Sequence, residues 1–179
     1  MTHQLNFIYN DSDWICPSEY PDLSKANEIA IDLETKDPNI KTKGPGWATF
    51  DGHIVGFAVA ALGQQWYFPI AHDAGGNMDL SITCAWMQDV LNTPATKVFH
   101  NASYDVGWLL VNGFTIKGKI VDTMIAAALI NENRYSFSLN ACAKDYLGEI
   151  KNETFLSEKA KEWGIDAKAD LWKLPAGYV

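Results

Sequence analysis

Residues 28–33 (E-I-A-I-D-L) are short, rich in branched side chains and followed by a polar, glycine-containing stretch over 35–52. That is the pattern of an inner strand opening into a loop, and we expect the first strand here. Two apolar runs, 54–62 and 65–70, flank Gly63-Gln64, a spacing that predicts a tight hairpin with glycine at its turn. Over 80–91, Ile82, Ala85, Met87, Val90 and Leu91 fall near helical spacing, with Asp79 or Ser81 available as N-cap. A brief strand is expected at 97–100 and a helix at 103–111, ended by Asn112-Gly113. A strand at 119–121 leads into an apolar helical run at 122–130. Helices follow at 138–146 and 153–163, and no element is completed over 164–179. Strands alternating with helices, without repeats, predict an α/β domain.

The chain has 179 residues, enough for one domain with at most a short appendage. We divide it into an N-terminal extension, 1–25, and a domain over 26–179. The apolar stretches 54–62 and 125–130 are far shorter than the roughly 20 residues that span a bilayer, so no membrane partner is expected. Gln4, Asn6, Asn10, Asp11 and Asp13 give the N-terminus neither the basic start nor the apolar run of a signal peptide. Cys16, Cys84 and Cys142 match neither a disulfide framework nor a zinc spacing, which fits a reducing cytoplasm. The net charge of −8 argues against a broad basic surface for nucleic acid. If the partner is nucleic acid, bound cations or another domain must supply much of the attraction. Arg134 is the only arginine.

Two polar clusters carry candidate chemistry. Asp32 and Glu34, two positions apart on the first strand, share one face where the strand opens into its loop. Two anions about 4 Å apart repel by roughly 4 kcal/mol at an effective dielectric near 20, so such a pair asks for a cation or a raised pKa. Alone, a D-x-E pair is more often a solvated strand end. The second cluster, His100-Asn101-Ala-Ser-Tyr104-Asp105, runs from a strand end into a helix start, where ligands of α/β sheets gather. Each member has a structural reading as well: Asp105 complements the helix dipole, Tyr104 packs, and Asn101 caps or turns. Asp122, which opens the next helix, reads as an N-cap.

Together, D-x-E on the first strand and N-x-x-Y-D about seventy residues later resemble the 3′-5′ exonucleases of the DEDD superfamily. The pattern is most similar to the proofreading domain of DNA polymerase I-type (family A) enzymes. The resemblance also covers Ile31 to Thr35, Ile70-Ala-His-Asp73, Val121-Asp-Thr-Met124, Arg134 with Ser138-Leu139, and Tyr146-Leu-Gly148. It implies an RNase H-like fold: a mixed five-stranded sheet, its second strand antiparallel, flanked by helices.

The resemblance further implies that Asp32, Glu34 and Asp105 are catalytic and hold two divalent ions, magnesium or manganese, at the 3′ end of single-stranded DNA. Asp32 would bridge both ions, Glu34 bind the first and Asp105 serve the second. Hard oxygen ligands suit such ions. Thr35, Asn101 and Tyr104 would contact the terminal nucleotides and Arg134 a phosphate, a solvated arginine being the other reading of Arg134.

The family's third motif, Tyr-x-x-x-Asp or His-x-x-x-x-Asp on a late helix, has no counterpart in the expected place. Tyr9 and Asp13 have the first spacing but precede the D-x-E pair, and chance accounts for them. A stretch resembling Lys173-Leu-Pro175 precedes that motif in the family. The domain is therefore expected to be C-terminally incomplete, its last helix or helices missing, with impaired cleavage and a polymerase region downstream in a longer parent, a bacteriophage polymerase by our reading. An RNase D-like RNA-trimming enzyme and a noncatalytic single-strand-binding module are the alternatives.

Overall fold

A computed structural model describes residues 14–149 and 154–178 of the chain. The N-terminal polar segment, the Tyr9/Asp13 pair and Glu153, the expected first residue of the last helix, lie outside them.

The central strand, β1 (Glu28–Lys36), alternates strictly over its first six residues: Ile29, Ile31 and Leu33 are buried, while Glu28, Ala30 and Asp32 are exposed. This two-residue period gives the strand an apolar face and a polar one. The expected loop after it starts later, because β1 runs on to Lys36. It also contains two single helical turns, α1 (Ile40–Lys43) and α2 (Gly46–Thr49).

Next come β2 (His53–Ala61) and β3 (Gln64–Pro69), the expected hairpin. Its turn is Leu62-Gly63 rather than Gly63-Gln64. Both residues have positive φ, 53° and 74°, the left-handed pair that matches the twist of a two-residue hairpin. Glycine takes the second position without strain, and Leu62 takes the first at a steric cost.

The remaining order is α3 (Leu80–Asn92), β4 (Thr96–Phe99), α4 (Ala102–Val111), β5 (Ile120–Asp122), α5 (Thr123–Ile130), α6 (Leu139–Leu147) and α7 (Thr154–Trp163). The helix α3 is capped by the Asp79 side chain on the Ile82 amide, and α6 by Ser138 on Ala141. The stretch expected to hold no completed element forms two 3-10 turns, Leu171–Lys173 and Ala176–Tyr178; Leu174 between them, and Ala176 and Tyr178 of the second, are buried.

The sheet order is β3-β2-β1-β4-β5. The β1–β2 and β2–β3 pairs are antiparallel, and the β1–β4 and β4–β5 pairs are parallel. This is the mixed five-stranded sheet flanked by helices that the sequence led us to expect.

One core joins the apolar face of β1 to Phe57, Val59 and Phe99 of the neighbouring strands and to Met87, Leu91, Trp108 and Leu109 of α3 and α4. Each fully buried side chain of this size removes about 1.5–3 kcal/mol worth of apolar surface from water. Trp108 lies in this core, and Trp86 packs at its edge. Within the expected N-terminal extension, Leu23 is in the core and Tyr20 stacks on Phe68. Among the described residues, no helix is long and apolar enough to cross a membrane.

Lys97 is a polar exception within this core, fully buried on β4. Its ammonium donates to the carbonyls of Thr93, Ala95 and Lys117 and to the Thr93 hydroxyl. Burial pulls its pKa down.

Candidate active site

At the C-terminal end of β1, three successive alternate positions are tied to the first turn of α4. The Leu33 amide donates to Asp105 Oδ1 at 3.1 Å. The Thr35 and Tyr104 hydroxyls share a 2.8 Å hydrogen bond. The Tyr104 hydroxyl also donates to Asp37 Oδ2 at 2.9 Å. The strand pairing slips between Glu34 and Thr35, a bulge at the point where the chain leaves the ladder.

Asp105 sits in the first turn of α4, as its helix-dipole reading requires, but it is buried at 3% exposure. Burial pushes its carboxyl up to about 7, and the negative charges of Asp32 and Glu34 push the same way against the Leu33 amide. Asp32 is exposed and Glu34 half-buried, so the three acids descend from solvent into the fold. They are close enough to perturb one another, yet among the described residues no group of three His, Cys, Asp or Glu side chains is gathered tightly enough to hold a metal ion. As a donor set, three carboxylates around one strand end fit a hard divalent ion.

Asp122 does more than cap its own helix. Its carboxylate accepts from the Met124 and Ile125 amides of α5 and also from the Asn101 and Ala102 amides at the start of α4. Burial works to raise its pKa, and the four amides outweigh that and hold it below the ordinary carboxylate range. One side chain thus fixes the turn that presents Tyr104 and Asp105. Asn101 occupies the left-handed region there (φ 69°) and makes no side-chain cap. His100 is held between the Thr123 hydroxyl and the Phe137 carbonyl.

Arg134 is not the solvated side chain of the second reading. Its side chain is 9% exposed, and its guanidinium pairs with Asp145 at 3.0 Å and lies over the Tyr146 ring.

Two further groups beside the acids carried no assigned role from sequence. Tyr67 and His72 share a 2.6 Å hydrogen bond, and His72 Nδ1 donates to the Leu174 carbonyl. The Tyr67 hydroxyl fills the space where Gly56, paired opposite Glu34, would carry a Cβ. Burial, and secondarily Glu34, raise the Tyr67 pKa. The other group is Asp37. Neither has a spacing that marks it: Asp37 reads as a loop acid before Pro38, and Tyr67 as an apolar strand residue.

A family model described as a 3′-5′ exonuclease matches residues 20–174. A DNA-directed DNA polymerase of Pseudomonas phage M6 is 34% identical over 97% of this chain, which spans 27% of that polymerase. Among solved structures, Escherichia coli RNase D, an exoribonuclease involved in structured RNA processing, aligns at 19% identity with a TM-score of 0.54, over 84% of this chain and 37% of its own. Brucella melitensis NrnC with bound Mg2+ aligns at 18% identity with a TM-score of 0.54, over 73% of this chain and 58% of its own. At these identities the two structures speak to the fold alone.

Proposed function

Because the chain belongs to the 3′-5′ exonuclease family of DNA polymerase A, we propose that it serves a longer phage DNA polymerase by hydrolysing nucleotides from single-stranded DNA 3′ ends. The phage polymerase relative, of which this chain spans 27%, supports a separate polymerase region in the same protein. The observation that carries the chemical reading is Asp105: a buried carboxyl pushed up to about 7, partly by Asp32 and Glu34, is a site that a cation would relieve.

Asp32, Glu34 and Asp105 would hold two divalent ions, magnesium or manganese. When bound, such a pair lowers the pKa of an attacking water and neutralises charge on the leaving 3′ oxygen. The chain's own residues bind and orient the substrate. Thr35, Asn101 and Tyr104 lie along the β1 and α4 ends, where they would meet the terminal nucleotides. The Asp122 carboxylate keeps the Asn101 turn fixed while they do so. Arg134 would meet a phosphate through the part of its guanidinium that Asp145 and Ser136 do not engage.

The test offers matched single-stranded DNA and RNA oligonucleotides to the full-length protein with magnesium or manganese. Preferred shortening of the DNA from its 3′ end is expected. A clear RNA preference would make it an RNA-trimming enzyme, cleavage of neither would leave a binding module, and cleavage unchanged in Asp32→Ala would show that the acids at the end of β1 do not carry the chemistry.

A further inference from the structure

The hydrogen-bond chain beside the acids contains one member that the family motifs do not include. Asp37 Oδ2 accepts from both the Tyr104 hydroxyl and the Gly46 amide, each at 2.9 Å. It therefore links the end of β1, the first turn of α4 and the start of α2. The Gly46 and Gly107 backbones complete this junction by close approach. A Cβ on Gly46 would meet the Asp51 carbonyl oxygen at 1.9 Å, and one on Gly107 would meet the Trp47 ring at 2.4 Å. The second Asp37 oxygen, Oδ1, is buried with no hydrogen-bond partner among the described residues.

All of this side chain's hydrogen bonding among the described residues therefore falls on Oδ2, a role that an asparagine carbonyl could also fill. What the present arrangement secures is the direction of one hydroxyl. Tyr104 donates to Asp37, so the proton it shares with Thr35 comes from the threonine, and both side chains are fixed in one donor order.

We propose that Asp37 is a positioning residue of the exonuclease site. It holds the Thr35 and Tyr104 hydroxyls in one donor order, Thr35 to Tyr104 to Asp37, which leaves their oxygen lone pairs as the atoms offered to the terminal nucleotide of the substrate. The inference rests on the reading above, in which Thr35 and Tyr104 contact that nucleotide. Asp37 itself touches neither substrate nor reacting atoms.

The experiment measures KM and kcat for shortening of single-stranded DNA by the full-length protein, with variants Asp37→Ala, Asp37→Asn, Tyr104→Phe, the double variant Asp37→Ala/Tyr104→Phe, and Asp32→Ala as reference. Thermal unfolding is followed in parallel. Asp37→Ala is expected to raise KM about tenfold with a smaller change in kcat, the size of one lost oriented hydrogen bond. Asp37→Asn should restore KM to within about threefold. In the Tyr104→Phe background, Asp37→Ala should add less than about twofold, because coupled groups lose their effect once the shared partner is gone.

An equal penalty from Asp37→Ala in both backgrounds would overturn the proposal. So would a wild-type KM in Asp37→Ala while Asp32→Ala is inactive. Activity unchanged in Asp32→Ala would instead sink the reading of this site as the exonuclease centre, whatever Asp37 does.

Discussion

Lys97 and Asp105 are both ionisable and both buried, at 0% and 3% exposure, yet their surroundings are opposite. The Lys97 ammonium meets three carbonyls and a hydroxyl, every one an acceptor aimed at a donor. Asp105 accepts from the Leu33 amide but faces the like charges of Asp32 and Glu34. The first is a solved burial problem and the second an unsolved one. A buried ammonium matched by acceptors has what folding requires, whereas a buried carboxyl facing two like charges is a candidate for chemistry, still needing a partner of opposite charge.

The sharpest way to exploit this contrast is to neutralise Asp105. In Asp105→Asn, exonuclease turnover should fall by on the order of 10²–10³, the usual cost of one positioned electrostatic partner. Measured on single-stranded DNA under saturating magnesium, a loss below about threefold would place Asp105 with Lys97 as a structural group.

Next in size is Lys97→Met, which fills the same space and leaves the Thr93, Ala95 and Lys117 carbonyls without their donor. A destabilisation of about 3 kcal/mol is expected in denaturant unfolding, with kcat unchanged wherever the protein is folded. Equal or greater stability in Lys97→Met would erase the distinction from the other side.

The remaining effect is a pH dependence. Asp105 titrates near 3.9 in an unfolded chain and near 7 in the fold. Between those values the folded form holds a proton that the unfolded form has lost. The stability of the metal-free protein should therefore fall as pH rises from about 4 to about 7, at up to about 1.4 kcal/mol per unit from this group. Unfolding in chelator across that range should show the slope in the wild type and a weaker one in Asp105→Asn. Identical slopes would mean that Asp105 is not the group responsible.

Much of the fold was legible because local pattern and tertiary demand agree. The branched run of β1, the helical spacing in α3 and the Asn112-Gly113 end of α4 each reappear within a few residues of their expected bounds. The hairpin turn was misplaced by one residue, since a leucine with positive φ runs against its own preference and is tolerated only because the strand twist demands it. The 3-10 turns near the C-terminal end escaped notice for another reason. They are held by tertiary contacts, the Leu174 carbonyl on His72 and the Asp73 amide on the Trp172 carbonyl, which no local period announces.

The candidate site divides along the same line. Asp32, Glu34 and Asp105 carry a recognisable spacing, so they could be named before any geometry. Asp122 was correctly read as a cap, but its grip on the Asn101 and Ala102 amides joins residues about twenty apart. Asp37 and Tyr67 have no signature at all, since their importance lies in what folding places beside them. The Arg134 pairing with Asp145 is likewise a product of α6 packing rather than of any motif.

The most direct test of the central claim, that the acids around the end of β1 form a cation-dependent exonuclease site, uses 5′-labelled single-stranded DNA. Wild type and Asp32→Ala would be compared with manganese and with chelator. A ladder shortening one nucleotide at a time from the 3′ end is expected, seen only for wild type with metal. The same ladder from Asp32→Ala, or from wild type in chelator, would contradict it.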